Sequence, residues 1–340
     1  MGKRNWRPVL VVGLIGLMVF GMYMVFRDSY EEIVRLLAGA RVEFVLVLVG
    51  MGWMYYVMES WILQGIVGEK GKRFSLWEAL EYNYLGLFMN VTTFGAGIKP
   101  AQAYYLYQKG VDVGEGVGVL ILPYVYHKTT IMVYATIVLV VKGDFIRRMY
   151  SDSVHYLYAA YFMSAVIIIG LILICTWDRL QRVVFKLAHW VLGKTKFDEQ
   201  VTKYEMQVKT MQRECLKSLK NPRRWVKYIL INLVKVTWWY AIPFVAIRAL
   251  GLEGGLGSIT LLEVIATSAF MQIIVGVIPV TGGMVSTEIV YGLLYSALLG
   301  SGAAGATMIL YRFATYYLAF LTSIVVVSTL RKKRLRYEEK

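Results

Sequence analysis

The chain has 340 residues, of which 58% are hydrophobic, and its formal net charge is +15. This composition excludes an ordinary soluble domain and indicates an integral membrane protein. The excess of Lys and Arg is typical of cytoplasmic loops that meet anionic headgroups, and no basic-aromatic motif indicates nucleic-acid binding. The only cysteines, Cys175 and Cys215, give neither a disulfide framework nor a metal motif.

Long apolar runs predict an all-α, polytopic integral membrane protein with about six full spans and two re-entrant helical hairpins. A helix needs about 20 apolar residues to cross a bilayer. The expected spans are 8–26, 42–67, 117–141, 155–176, 228–249 and 304–330. The first run follows three basic residues but ends without a small-x-small cleavage pattern, so we expect a retained span rather than a signal peptide.

Each predicted hairpin is an apolar segment interrupted by Gly and Pro. The arms are 76–90 with 100–108, and 260–277 with 284–299. The backbone breaks contain Gly95, Gly97 and Pro100 in the first hairpin, and Pro279, Gly282 and Gly283 in the second. Non-helical backbone survives at membrane depth only when it is buried in protein or lines a wet cavity. Two such segments, one in each half, favour a transporter-type site.

The charges predict the orientation. The segment 177–227 carries 13 Lys and Arg against five acids, which indicates a cytoplasmic basic loop. Within it, apolar residues repeat at helical spacing over 201–219, so we predict an amphipathic helix that lies on the inner membrane face or under the bundle. Basic residues near both ends predict cytoplasmic termini in a multi-pass protein of the cell (plasma) membrane. The Lys and Arg of 142–148 fit the expected outside position poorly.

A shift of 186 positions relates the two halves. It places 42–67 on 228–253 and Gly97 on Gly283. We therefore interpret 1–340 as one membrane domain with half-repeats 42–141 and 228–330 of inverted topology. Residue identity at this offset is slight, so a chance match is the alternative. Inverted repeats place a transport site near the middle of the membrane.

Two charged residues lie deep in apolar sequence near the second break. Glu288 follows the break, and Arg312 lies well inside the last span. A charge at the centre of a membrane helix is costly, so we expect a function for each. Glu288 is a candidate for a headgroup contact or a proton carrier, and Arg312 is a candidate for gripping a phosphate. The alternative is an internal ion pair between them.

Further candidates lie in the first half. Lys99 and Gln102 flank Pro100, where the start of a returning half-helix suits an anion; the alternative is an ordinary loop lysine. His127 and Lys128 are adjacent, so they point to different sides of their helix and only one is expected to face a cavity.

Three other features are weaker. Lys235 lies about seven residues inside its span and is a candidate to extend towards the membrane surface, Glu263 is a candidate for the outer interface, and Glu59 is a candidate partner of either. The 25 Tyr and 9 Trp are attributed mainly to interfacial belts. No hydrolase, nucleotide-binding or metalloprotease motif is present, so we name no catalytic residue, cofactor or metal. A membrane-embedded enzyme would need an acid or base such as Glu78 or Glu81.

Three ordered segments carry a family resemblance. They are Thr92–Leu106 (TTFGAGIKPAQAYYL), Ile278–Glu288 (IPVTGGMVSTE) and Tyr311–Tyr316 (YRFATY). Together they resemble the transmembrane, flippase-like domain of the lysylphosphatidylglycerol synthetase/flippase family over nearly the whole chain. Ile98-Lys99-Pro100 departs from the more usual Gly-Gln-Pro, and Val280-Thr281 stands in place of Thr-Pro, so the substrate could differ.

The resemblance implies a stand-alone membrane module without the soluble aminoacyl-transfer domain. Its expected function is a lipid translocase that moves a phospholipid such as aminoacyl-phosphatidylglycerol, with Glu288 on a cationic headgroup and Arg312 with Lys99 on the phosphate. One alternative is a membrane-embedded lipid or polyprenyl-linked transferase of the synthase type, or an accessory subunit of one, and another is a scaffold without transport. The expected partners are anionic or aminoacylated phospholipids and the membrane, and a homo-oligomer is compatible with the sequence.

Overall fold

The computed structural model describes residues 29–111, 113–192, 205–206, 208–209, 212–213, 216–217, 221–252, 259–278 and 284–338. Within these ranges all regular secondary structure is helical. The predicted span 8–26 and the second break, with Pro279, Gly282 and Gly283, lie outside the described residues.

The helices are numbered here in chain order within the described ranges. They are α1 Tyr30–Ala38, α2 Val42–Gly68, α3 Leu76–Thr92, α4 Ile98–Gln108, α5 Val113–Met149, α6 Val154–Thr176, α7 Asp178–Leu192, α8 Pro222–Ala249, α9 Leu261–Val277, α10 Met284–Leu299, α11 Ser301–Arg312 and α12 Leu318–Glu338. A 3₁₀ turn, Ser151–Ser153, joins α5 to α6, and a π-helical turn, Phe313–Tyr317, joins α11 to α12.

Five stretches are long and apolar enough to cross a membrane. They are Val42–Gly68, Gly116–Met149, Ser151–Gly170, Pro222–Ala249 and Ser301–Lys332. These match five of the six expected spans, so the all-helical, multi-pass membrane fold is confirmed. Helix α5 has 37 residues and is kinked at Lys142, whose backbone is not helical, so it consists of two helical parts that meet at this residue.

Helices α2 and α8 form the centre of the bundle and run antiparallel. At one end, the Arg41 N–H donates to the Ala249 carbonyl at 2.8 Å. At the other, the Tyr228 hydroxyl donates to Glu69 Oε1 at 2.9 Å, and Arg224 forms an ion pair with the same carboxylate. The two helices therefore traverse the bundle in opposite directions along their whole length.

The first helices of the two hairpins pack reciprocally. Helix α3 packs on α12, and α9 packs on α5, so each of these two helices contacts a span from the other half of the chain. Helices α3 and α9 are both 17 residues long. Each begins with a capping box, Ser75 with Glu78 and Thr260 with Glu263, that satisfies free N–H groups of the first turn.

Helices α3 and α4 form a hairpin around the first predicted break. Phe94 and Gly95 have φ values of 52° and 85°, which end α3 in the left-handed region. The Thr93 hydroxyl donates to the Met89 carbonyl at 2.6 Å and accepts from the Gly97 N–H at 2.7 Å. The chain is therefore not helical between Thr92 and Ile98, the stretch that contains Gly95 and Gly97.

Pro100 lies after the break, in the first turn of α4, where a missing N–H costs little. The far ends of the hairpin meet again, because Lys109 Nζ lies 2.7 Å from Glu78 Oε1. Both open ends of the hairpin consequently lie on one side of the bundle.

Two features differ from expectation. Helix α7, Asp178–Leu192, was not predicted; in the 201–219 segment the structure describes only short helical pieces between 205 and 217. The interfacial belt does not account for several tyrosines that are fully buried inside the bundle, namely Tyr126, Tyr228, Tyr240, Tyr291 and Tyr295.

Candidate functional site

Glu288 and Arg312 form a buried ion pair beside the second hairpin. An Arg312 guanidinium nitrogen lies 2.7 Å from Glu288 Oε1, and the two side chains are 8% and 3% exposed. Glu288 sits in the first turns of α10, and Arg312 is the last residue of α11. Of the two sequence alternatives, the structure brings these residues together as partners. Moving both charges out of water costs several kcal/mol, which their mutual attraction offsets. Removing one partner costs ~3–5 kcal/mol, because the other charge is then buried without compensation.

Arg312 is placed by an irregular backbone. The π-helical turn Phe313–Tyr317 follows it directly, and the Arg312 guanidinium lies 5.6 Å from the centre of the Tyr316 ring. A side chain at Gly52 of α2 would overlap the Ala314 carbonyl oxygen, so glycine is what lets α2 approach this turn. Single π turns inside helices occur frequently at functional sites.

A second ion pair joins the two central helices. Lys235 of α8 donates to Glu59 of α2, and its ammonium lies 5.4 Å from the centre of the Tyr55 ring. The Lys235 side chain is 1% exposed, whereas the Glu59 side chain is 25% exposed. Lys235 therefore does not extend towards the membrane surface as expected, because the Glu59 carboxylate and the Tyr55 ring hold it inside the bundle.

Aromatic rings connect the two ion pairs. Tyr55 lies 4.2 Å from Trp239, and Trp239 lies 6.2 Å from Tyr311, measured between ring centres. Tyr311 stacks on Tyr291 at 5.4 Å and immediately precedes Arg312. The sequence analysis missed this path, because residues on four different helices contribute to it and no local pattern marks them.

A polar cavity opens on the Glu59 side of the molecule. It has a volume of about 150 Å³, lies between α2, α3, α4 and α5, and is lined by Glu59, Asn83, Lys99, Gln102, His127 and apolar neighbours. Three residues predicted from the first half, Lys99, Gln102 and His127, thus share one cavity. Glu59 is an additional member that the sequence indicated only weakly.

Several polar atoms of this cavity lack a hydrogen-bond partner within the described part of the chain. Gln102 is buried and its Oε1 has no donor, and His127 Nδ1 is also unpaired. Gly86 of α3 leaves the space that the Gln102 amide occupies, since a Cβ there would overlap Gln102 Nε2. Buried polar groups are normally satisfied, so these atoms suit a bound polar ligand or water.

Lys99 supplies the positive charge of the cavity. Its ammonium donates to the Leu120 carbonyl at 3.1 Å, and among the described residues it forms no ion pair. Lys99 lies in the first turn of α4 rather than in a loop, its amine is directed at α5, and the residue as a whole is exposed, as the alternative of a lysine in contact with water expects.

Lys128 faces a different space from His127, as their adjacency predicts. It lines a small cavity of about 50 Å³ between α5, α6 and α9, together with Ser164, Gln272 and Gly276. This cavity is separate from the one that holds His127. Lys128 is therefore not brought together with Lys99 and Gln102.

The two acids named for an enzyme have structural partners. Glu78 completes the capping box of α3 and pairs with Lys109. Glu81 is buried and accepts hydrogen bonds from Trp77 Nε1 at 2.9 Å and from the Tyr105 hydroxyl at 2.7 Å. Within the described ranges, no group of three or more His, Cys, Asp or Glu side chains forms a candidate metal site.

Comparison with known proteins places this helical bundle in a family. A search of curated proteins finds no match to the chain. A family model described as "Lysylphosphatidylglycerol synthase TM region" matches residues 9–323, which include both hairpins and both ion pairs. The match covers nearly the whole chain and agrees with the resemblance carried by the three sequence segments. The chain therefore belongs to the lysylphosphatidylglycerol synthase TM region family, whose function concerns membrane lipids.

Proposed function

We propose that this protein is a lipid translocase that moves a phospholipid, such as aminoacyl-phosphatidylglycerol, between the two leaflets. The observation that carries the proposal is the polar cavity lined by Glu59, Lys99, Gln102 and His127 inside a mainly apolar bundle. A headgroup cannot cross the hydrocarbon core cheaply without polar contacts. This cavity offers a cation, a carboxylate and an amide at one place among spanning helices.

The charges suggest how a headgroup binds. Lys99 is available for the phosphate, because its ammonium donates a hydrogen bond to a backbone carbonyl and forms no ion pair among the described residues. Glu59 is partly exposed although it pairs with Lys235, so its carboxylate can also meet an amine from an aminoacyl group. We propose that Glu288 and Arg312, which neutralise each other in this conformation, contact the headgroup only when their ion pair opens.

We propose that the two halves form an inverted repeat that exposes the path alternately to each side. Three observations support this: the antiparallel α2 and α8, the two 17-residue capped helices α3 and α9, and the reciprocal packing of α3 on α12 and α9 on α5. In such a repeat the two hairpins enter the membrane from opposite sides. Rocking of one half against the other would then open the cavity to each leaflet in turn.

We further propose that the protein resides in the plasma membrane with both termini in the cytoplasm. The basic tail after 330 and the basic segment 177–227 support this orientation. The Lys and Arg that fit poorly outside have local partners: Lys142 lies 3.9 Å from Glu263 Oε1, and Arg147 donates to the Tyr158 hydroxyl at 3.3 Å.

The alternative from the sequence analysis is a membrane-embedded transferase or a subunit of one. The family description contains the word "synthase", which is compatible with this alternative. The structure gives it little support, because Glu78 and Glu81 are both held by structural partners.

The test is lipid movement by the purified protein in unilamellar vesicles. A fluorescent lysyl-phosphatidylglycerol analogue in both leaflets is quenched from outside by an impermeant reductant, so quenching beyond the outer-leaflet fraction reports translocation. Lys99→Gln removes the phosphate contact. A charge-assisted hydrogen bond is worth ~1.5–3 kcal/mol, so we expect the rate to fall roughly tenfold or more.

Arg73→Gln is the matched control. It removes one positive charge from the exposed turn before α3, away from the cavity, and should leave the rate unchanged. Equal quenching for wild-type protein and protein-free vesicles would contradict translocation. Covalent change of the lipid without movement, detected by mass spectrometry, would favour the transferase.

A further inference from the structure

A second, larger space lies beside the polar cavity, on the outer face of the first hairpin. It is a groove of about 560 Å³ between α4 and the first turns of α5. Its volume falls in the range of ligand sites, ~300–1,000 Å³. The function proposed above does not use this groove.

The groove is lined by one face of α4. Lys99, Ala103 and Tyr107 recur at four-residue spacing and line it together with Tyr104, while Gln102 and Leu106 on the opposite face are buried in the bundle. Val117 and Leu120 form the α5 wall. Tyr104 and Tyr107 are half exposed or more. The groove is thus an open, mainly apolar slot on the side of the helical bundle.

The inner end of the groove meets the polar cavity. Lys99 and Leu120 line both spaces. The Lys99 ammonium is fixed at this junction by its hydrogen bond to the Leu120 carbonyl. One continuous path therefore runs from an apolar slot, past the Lys99 ammonium, into a cavity that holds the Glu59 carboxylate and unpaired polar atoms. Among the described residues, Lys99 forms no direct ion pair.

We propose that the α4–α5 groove binds an acyl chain of an anionic phospholipid, with the phosphate at Lys99 and the rest of the headgroup in the polar cavity. The order of apolar slot, positive charge and polar cavity matches the order of chain, phosphate and headgroup in such a lipid. This proposal names the substrate site of the translocase and so rests on the proposed function. Occupancy of the groove is nevertheless an equilibrium property that can be measured without transport.

A second apolar groove provides an internal comparison. It has a volume of about 400 Å³ and lies at the other end of α5, between the turn at 149–153 and α10. Ala297, Leu293 and Val290 line its α10 wall. Within the described part of the chain, no Lys or Arg lines this groove, so it lacks the charge complementarity on which the assignment of the α4–α5 groove depends.

The experiment is photo-crosslinking in nanodiscs that contain phosphatidylglycerol with a diazirine on its acyl chain, followed by peptide mapping. For wild-type protein we expect labelling concentrated on the α4–α5 walls, at 103–107 and 117–121. Ala103→Trp fills the groove and should reduce this labelling roughly tenfold, whereas Ala297→Trp fills the other groove and should leave it unchanged. Lys99→Gln should keep acyl labelling but abolish the preference for phosphatidylglycerol over phosphatidylcholine competitor.

Two results would overturn the assignment. One is labelling no denser on the groove walls than on the exposed lipid-side residues of α6, such as Val166 and Ile169. The other is undiminished groove labelling in Ala103→Trp with preserved thermal stability. The two proposals fail separately: groove labelling in a protein that moves no lipid refutes translocation only, and lipid movement without groove labelling refutes the groove only.

Discussion

Arg312 and Glu288 approach to 2.7 Å inside the bundle, with both side chains almost completely buried. The pair links α10, which follows the second break, to the irregular turn at the end of α11. Breaking a buried pair leaves one charge uncompensated, which costs more than the pair contributes. Its role can therefore be separated into stability and function by removing one or both partners.

The ion pair predicts strong coupling between two substitutions. Glu288→Gln or Arg312→Met alone should each lower the free energy of unfolding by ~3–5 kcal/mol, because the remaining charge is buried without a partner. The double variant should recover most of that loss. Unfolding in mild detergent, followed by helical circular dichroism, measures the coupling. Additive losses in the double variant would show that the two charges do not stabilise each other.

The second ion pair predicts that removing either partner lowers the free energy of unfolding by a different amount. Lys235 is fully buried, whereas Glu59 is a quarter exposed. Glu59→Gln should therefore cost ~3–5 kcal/mol, since it strands a buried ammonium. Lys235→Met leaves a carboxylate that water can reach, so its cost should be closer to ~1 kcal/mol. The same unfolding measurement compares the two, and equal costs would argue against the unequal burial.

Two glycines of α2 form a matched pair for testing helix approach. Gly52→Ala places a methyl group against the Ala314 carbonyl oxygen and should destabilise the protein by ~1–3 kcal/mol. Gly50→Ala meets no atom within 4 Å, and should be neutral or stabilising by ~0.5–1 kcal/mol because alanine favours the helix. Similar melting temperatures for the two variants would show that α2 does not touch the π turn so closely.

Single cysteines test whether the two hairpins open on opposite sides. In a background without Cys175 and Cys215, Gln108→Cys marks the end of α4 and Ser301→Cys marks the first residue of α11, just beyond α10; both positions are exposed. An impermeant thiol reagent should label Ser301→Cys in intact cells and Gln108→Cys only after the cells are opened. Labelling of both from the same side would contradict inverted topology.

The spans could be predicted from sequence because each is a long apolar run, and the structure keeps 42–68 and 154–176 within a residue or two of the expected limits. The first break was equally visible, because Gly95 and Gly97 interrupt an apolar stretch. Lys99, Gln102 and His127 were found individually, since polar side chains are rare at that depth. Their common cavity depends on how α4 packs on α5, which no local pattern encodes.

Other parts of the site were indicated only weakly by the sequence, or not at all. The Glu59–Lys235 pair was one of two pairings that the sequence offered for Glu59. It joins residues 176 positions apart, and the register of α2 against α8 decides whether it forms. The aromatic path through Tyr55, Trp239 and Tyr311 contains the same residue types as an interfacial belt, so only the three-dimensional packing shows that these rings connect the two ion pairs. The amphipathic helix predicted over 201–219 stays a prediction, because only short pieces of that segment are described.

Movement of a labelled phospholipid between the leaflets of vesicles tests the proposed translocation most directly. Wild-type protein should equilibrate the analogue across the bilayer faster than protein-free vesicles do. Leu120→Trp, which places a bulky ring where the groove meets the polar cavity, should abolish this movement in protein that still melts cooperatively. A wild-type rate no faster than that of protein-free vesicles would contradict a translocase, and an unchanged rate for Leu120→Trp would contradict a path through this cavity.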